Sequence, residues 1–478
     1  MSNIADALAR LASALPGDRG EERPQQVEMA EGVATGLRSG RHVIVQAGTG
    51  TGKSWGYLVP AVLSDKKVVV ATATKALQDQ LASKDLPFLV EHGPRPFDWA
   101  VLKGRSNYVC LQRLRELRGG GAGPDGAGQA QLEIEEFAAT TKLEIATIAT
   151  WAADSDSGDL AELPEMVSDA AQRAVTVGSD ECPGANRCPV GQSCFAERAR
   201  ARAMAADVTV VNLHLYGLHV ASGGVLLPEH DVVVIDEAHQ LEDIMSDTVG
   251  LQIGPGRVTT IAGALRRVLE DPTTVGAVAE SAQVLRDALS PWLGQRLPLS
   301  LPDTVRDALV TTRGRVDAAR QAVGRISTDV DDVKQRVIRA QQLATRFQEH
   351  IDSTLSLGEG YVPFVSGTPE SPRLEVAPLD VGPVLANGIW SQRTAVLTSA
   401  TIPSSLARRV GIPAGTVDEL DVGSPFDFEH HGLLYCALHL PDPRAGGRDQ
   451  QVHDEIAALV EAAGGRTLAL FTSWRAME

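Results

Sequence analysis

The segment RHVIVQAGTGTGKSWGYLVPAVL, residues 41–63, most constrains what this chain can fold into. HVIVQA reads as a short apolar strand, AGTGTG as a tight glycine loop, and KSWGYLVPAVL as a helix that Pro60 would bend. Strand, loop and helix in that order make a phosphate cradle. Gly48, Gly50 and Gly52 let backbone N–H groups turn inward around phosphate oxygens, and the helix start adds its positive dipole end. Lys53 is placed to reach β and γ phosphates, and Ser54 to put its hydroxyl on Mg²⁺. The nucleotide-binding candidates are therefore Ala47, Gly48, Thr49, Gly50, Thr51, Gly52, Lys53 and Ser54. Ala47 stands where this pattern usually begins with glycine; alanine is small enough for the loop to close.

Such a cradle needs an acid at the end of a buried strand, and DVVVIDEAHQ supplies it. Val232 to Ile235 form the continuous apolar run of a parallel strand covered on both faces. Asp236 is the candidate for holding Mg²⁺, Glu237 for orienting and deprotonating the attacking water, and His239 for coupling nucleotide state to another segment.

Four of the five cysteines form a second constellation. Cys182, Cys188 and Cys194 are separated by five residues each, and Cys110 lies upstream in KGRSNYVC. Four thiolates suit a [4Fe–4S] cluster or tetrahedral zinc. No histidine lies between 110 and 194, which argues against a mixed Cys/His zinc site, and spacing alone leaves the other two options open. Cys436, in the apolar run LLYCAL, reads as core.

A length of 478 residues allows several domains, ~100–200 residues each. No run of 18 apolar residues occurs, and the N-terminus reads as an amphipathic helix, not a signal peptide. The expected location is cytoplasmic, without membrane association, where clustered cysteines are more often metal ligands than disulfides. A net charge of −17 argues against coating nucleic acid non-specifically. Charge is uneven, however. Lys103, Arg105, Arg113, Arg115 and Arg118 crowd around Cys110, and Arg198, Arg200 and Arg202 follow Cys194, whereas 131–181 is acidic. If the cysteines gather, these two segments are expected to form one basic surface. Phe195 is expected to shield the cysteines; Tyr108 could shield them or stack on bases.

AGTGTGKS with DEAH resembles the superfamily 2 helicases. ERPQQVEMA is similar to their Q motif, with Gln26 reading adenine and Arg23 nearby; VVVATATKALQDQL is similar to motif Ia, which touches the nucleic-acid backbone. TAVLTSATI is similar to motif III, with Ser399 and Thr401 linking ATP to the strand, and GSPFDF (423–428) and TLALFTSWRAM (467–477) to the start of a second motor domain. With the cysteines, the pattern most resembles the DinG branch of the DinG/XPD iron–sulfur helicases. That resemblance implies an ATP-dependent DNA helicase of 5′→3′ polarity, a [4Fe–4S] cluster on Cys110, Cys182, Cys188 and Cys194, and Mg²⁺ on Ser54 and Asp236. Its implied partners are single-stranded, forked or R-loop DNA, with a monomer as the default state.

The expected fold is α/β, a RecA-like motor carrying two insertions. The first motor domain would comprise 1–104, 206–254 and 376–410. A cysteine domain, 105–205, containing the linker-like GGGAGPDGAG (119–128), and a helical arch, 255–375, would interrupt it. A coiled-coil dimerisation arm is the alternative for the long helical patterns at 304–326 and 329–355. Residues 411–478 would start the second motor domain. The resemblance also implies motifs V and VI with their γ-phosphate arginines, which are not found here, so the sequence reads as part of a longer protein. The alternative is an ATP- and DNA-binding module without unwinding activity. His214 and His219, spaced as if on one helix face, are expected to pack or cap.

Overall fold

The computed structural model describes residues 4–16, 21, 23–117, 137–442, 448–471 and 474–477. Arg118 and the linker-like 119–128 lie outside them. The chain divides into two compact units, Met1–Pro425 and Phe426–Glu478.

The first unit is built on strands β1 (His42–Gln46), β2 (Val68–Thr72), β3 (Trp99–Val101), β4 (Val208–Asn212) and β5 (Val232–Asp236). Strands β6 (Leu251–Ile253), β7 (Tyr361–Thr368), β8 (Ser371–Pro378), β9 (Thr394–Ser399) and β10 (Val417–Asp421) follow. Seven of these form a parallel sheet in the order β10-β1-β9-β5-β2-β4-β3. The strands are short valine-rich runs, and their period of two sorts them into two cores. Val43, Val45, Val68, Val70, Val232 and Val234 pack in one core with helices Ile4–Ser13, Pro24–Ser39 and Lys53–Leu63. Their neighbours Ile44, Val69, Ala71, Val233 and Ile235 join the other, which continues into the cysteine segment through Leu114, Leu117, Ile148 and Phe195. The N-terminal helix uses Ala7, Leu8 and Leu11 for its buried face.

Helices Pro255–Arg266, Pro272–Leu289, Asp303–Gly324 and Asp331–Leu355 share a separate core. The antiparallel sheet β6-β8-β7 packs on it through Ile253, Val365 and Leu374. The stripes Val305, Leu309, Val316 and Val323, and Ala344, Phe347 and Ile351, are buried inside this cluster. They leave no free seam for the coiled-coil alternative.

Two expectations require correction. The boundary at 410/411 falls before the sheet ends. β10 pairs along the whole of β1, from His42 opposite Val417 to Gln46 opposite Asp421, and Arg41 bonds Asp418 at 2.7 Å. The sequence VDELD hides this strand because, at the sheet edge, none of its five residues is fully buried. Cys436 is exposed, as are Leu433, Leu434 and Leu438, and no strand occurs among the described residues of the second unit. An apolar run without a sheet to pair into has no core to enter. No helix of the described residues is long and apolar enough to cross a membrane.

Candidate nucleotide and cysteine sites

The glycine loop connects β1 to the helix Lys53–Leu63. Gly50 and Gly52 each have a φ of +82°, the left-handed region that suits glycine. Ala47 is fully buried among Val43, Val45 and Val59 and is outside that region, so its methyl group fits where the usual pattern has glycine. Two residues brace the loop from the helix Pro24–Ser39 and its cap. Gln26 Nε2 donates to the Gly52 carbonyl at 2.9 Å, and Arg23 Nη1 to the Gly50 carbonyl at 2.6 Å. Thr51 Oγ1 donates to the Gly48 carbonyl at 2.8 Å, and Lys53 Nζ to the Ala47 carbonyl at 3.4 Å. Thr49 is exposed at the tip. A cavity beside the loop is lined by Arg23, Gln26, Gly52, Ser54, Trp55 and Asp85.

Asp236 closes the opposite side from the end of β5. Tyr57 Oη donates to its Oδ2 at 3.1 Å, and the Glu237 amide to its Oδ1 at 3.0 Å. Burial, and then the like charge of Glu237, push its carboxyl up to about 6. Glu237 has a φ of +57°, uncommon for a residue with a side chain. Its Oε2 accepts from Ser399 Oγ at 3.1 Å, and His239 Nδ1 is 2.7 Å from the same Oγ. A serine hydroxyl has one proton. With that proton given to Glu237, Nδ1 is the donor to Ser399. The side chain of Gln46, the last residue of β1, bonds the loop after β9 and the last residue of β10. Its Oε1 accepts from the Ile402 amide at 2.9 Å, and its Nε2 donates to Asp421 Oδ2 at 2.8 Å.

Cys110, Cys182, Cys188 and Cys194 are all free thiols and line one cavity. Short 3₁₀ turns, Ala185–Arg187 and Gly191–Ser193, lead directly into Cys188 and Cys194. A Cβ on Gly191 would meet the Ala185 carbonyl oxygen at 2.2 Å, so the two cysteine loops touch backbone to backbone. Burial raises the Cys110 thiol to about 11, against the opposing pull of Arg339, and also raises Cys188. Among the described residues no three His, Cys, Asp or Glu side chains converge closely enough to hold a single ion.

Comparison with known proteins places these sites in context. Residues 23–90 match the DEAD/DEAH box helicase family. The chain is 36% identical to the ATP-dependent helicase DinG of Mycobacterium tuberculosis, over 99% of this chain and 74% of that protein. The chain belongs to the DinG/XPD helicase family. It is also 32% identical to the ATP-dependent DNA helicase YoaA of Escherichia coli, over 97% of this chain and 73% of that one. Its fold resembles a solved XPD helicase structure with a TM-score of 0.51, at 15% identity, covering 96% of this chain and 73% of the other.

Around its cysteine cavity, this DinG/XPD chain departs from the expected basic surface. Lys103 is paired with Asp159 at 2.6 Å, Arg105 with Glu197, and Arg115 with Asp332 at 3.5 Å. Arg113 is buried on Glu116 at 2.8 Å. These cations neutralise internal acids; Arg115 is still exposed, as are Arg198 and Arg202. Tyr108 and Phe195 are both buried, at 4% and 3% exposure, which removes base stacking for either. His219 is buried, accepting from the Leu227 amide at 3.0 Å, while His214 is exposed. Five residues turn a helix by about 140° past one full circle, so the two histidines do not share a face.

Sequence reasoning missed Tyr57, although it lies four residues after Lys53 on the same helix face. It also missed Glu116 and Arg339. Arg339 Nη1 and Nη2 contact the Glu116 carboxylate at 3.0 and 3.2 Å, joining the helix after Cys110 to the helix Asp331–Leu355. No local signal in the sequence indicates a pair 223 residues apart.

Proposed function

We propose that this ATP-dependent DNA helicase hydrolyses ATP between the glycine loop and Asp236–Glu237. We further propose that it moves 5′→3′ along single-stranded DNA and carries a [4Fe–4S] cluster on Cys110, Cys182, Cys188 and Cys194. The observation that carries the hydrolytic part is the Glu237–Ser399–His239 cluster, which ties the DEAH acid to motif III at the ends of two adjacent strands. Polarity and the forked or R-loop substrates rest on the family resemblance.

In the proposed mechanism, backbone N–H groups of residues 48–52 and Lys53 hold the phosphates. Ser54 and Asp236 would hold the magnesium ion that accompanies the nucleotide, which supplies neutralising charge at the transferred phosphoryl group. Glu237 orients a water and accepts its proton. Ser399 fixes the Glu237 carboxylate, and His239 fixes Ser399. A movement of motif III on DNA therefore changes the aim of the base, and a hydrolysis event is felt at motif III. Gln26 and Arg23 brace the loop and face the adenine-side cavity.

Four free thiols lining one cavity supply the ligand set that a cluster needs, and the family resemblance is what favours the cluster over zinc. A cluster carries its ligands around a larger body and supplies structural cross-linking and one-electron redox capacity. The cysteine domain is proposed to sit at the point of strand separation.

A second reading is that this chain binds ATP and DNA without unwinding. It draws on the lack of strands among the described residues after Pro425, since a second motor lobe needs its own sheet. ATP turnover with and without single-stranded DNA, alongside a fork-unwinding assay, separates the two. DNA-stimulated turnover with unwinding supports the motor; DNA binding without stimulated turnover supports the module. A Lys53→Ala chain with unchanged turnover would sink the nucleotide site. Iron, sulfide and zinc measured on anaerobically purified protein test the cluster: about four irons and four sulfides support it, and stoichiometric zinc refutes it.

A further inference from the structure

We infer that Arg339, from the helical domain, is a hydrogen-bond donor to the group held by the four cysteines, so that the seating of this domain sets the group's redox and spectroscopic properties. The inference rests on the cluster reading above.

Arg339 lines the cysteine cavity although it comes from the helix Asp331–Leu355, far from every cysteine in sequence. Its residue is 6% exposed. Both terminal nitrogens are engaged by Glu116, whose side chain is fully buried on the helix that begins right after Cys110. A guanidinium gripped by a carboxylate at both ends is fixed in its plane, and so the direction of Nε–H is fixed as well. That Nε–H has no partner among the described residues. Native proteins leave few buried polar atoms unpaired, and such atoms point to a missing group.

Four thiolates leave the proposed cluster net negative, and its sulfurs accept N–H donors. A donor carrying positive charge stabilises the reduced, more negative form more than the oxidised one. Arg105 is also on the cavity wall, but it is bonded to Glu197 within the cysteine segment. Arg339 thus links the cluster to a separately cored domain. Any motion that lifts the helix Asp331–Leu355 off Glu116 withdraws a charge and a hydrogen bond from the cluster, lowering its potential.

The experiment is an anaerobic redox titration of the full chain, followed by absorption and by paramagnetic resonance of the reduced state. It compares wild type with Arg339→Gln, Arg339→Lys and, as a control on the same domain, Arg313→Gln, which removes the exposed pair with Asp352. Arg339→Lys keeps the charge for Glu116 but lacks Nε–H. Both Arg339 variants are expected to have a lower potential, the glutamine variant lower than the lysine one. At the wild-type midpoint, the reduced-to-oxidised ratio would fall several-fold, with altered resonance lineshape and with Arg313→Gln unchanged. If Arg339→Gln fails to retain iron, Arg339→Lys decides alone. Iron-loaded Arg339 variants with wild-type potential and lineshape would overturn the inference, as would an equal shift in Arg313→Gln. Wild-type protein without iron would instead overturn the cluster reading itself.

Discussion

Ser399 Oγ donates to Glu237 Oε2 at 3.1 Å, across 162 residues of sequence, where the adjacent strands β9 and β5 end side by side. Removing that bond with Ser399→Ala should leave ATP affinity unchanged and cut DNA-stimulated turnover roughly tenfold or more, the value of one hydrogen bond to a charged group. Glu237→Gln should lose about 10²–10⁴-fold while still binding ATP. Steady-state turnover with a parallel nucleotide titration checks both. A fall in affinity alone in Ser399→Ala would reduce the serine to a packing role.

Asp236 is held at the expense of stability. Its folded-state value of about 6 lies above the ordinary 3.8, so the protonated form favours folding. That contribution is full below about pH 4 and is lost as pH rises through about 6. The cost at pH 7.5 is on the order of 3 kcal/mol. Without nucleotide or metal, Asp236→Asn should melt at a higher temperature than wild type at pH 7.5, with the gap closing towards pH 4. It should bind Mg·ATP far more weakly. Melting curves across this range decide it; a gap that stays constant with pH would refute the assignment.

Much of the geometry of the proposed nucleotide site is legible in the sequence because its rules are local. Glycines at 48, 50 and 52 and the valine runs of β1 and β5 need only their neighbours to be interpreted. β10 was missed because an edge strand with charged residues carries little apolar signal. The basic run at 103–115 was misread because charge density does not reveal partners. Asp159, Glu197 and Asp332 come from three separate segments, and only the fold brings them to Lys103, Arg105 and Arg115.

Gly52 is constrained by its φ of +82° and by its neighbour. A Cβ there would lie 2.1 Å from Gln26 Nε2. Gly52→Ala should therefore lose nucleotide binding. Adding Gln26→Ala should restore only part of it, since the left-handed backbone still costs an alanine about 1–2 kcal/mol. Fluorescent-nucleotide titration of the single and double variants measures this, and full recovery in the double variant would show that the clash alone matters.

Glu116 neutralises two buried guanidiniums, Arg113 and Arg339; burial pushes its carboxyl up, and these two charges overcome that and hold it down at about 2. Glu116→Gln takes this carboxylate's charge away from both guanidiniums and should destabilise the contact by about 3–5 kcal/mol. Amide exchange should speed up in Leu111–Leu117 and Asp331–Leu355, while the helix Lys53–Leu63, in another core, keeps its protection. Equal acceleration in all three would mean that the chain responds as one cooperative body.

The amide of Gln46 has a polarity, and that polarity makes it a one-way key. Its oxygen meets an N–H at Ile402 and its nitrogen a carboxylate at Asp421. Turned over, the same side chain would set N–H against N–H and oxygen against oxygen. The side chain thus ties the loop after β9 to the exit of β10 in one orientation. Whatever shifts one of these loops must carry the other with it or break the latch.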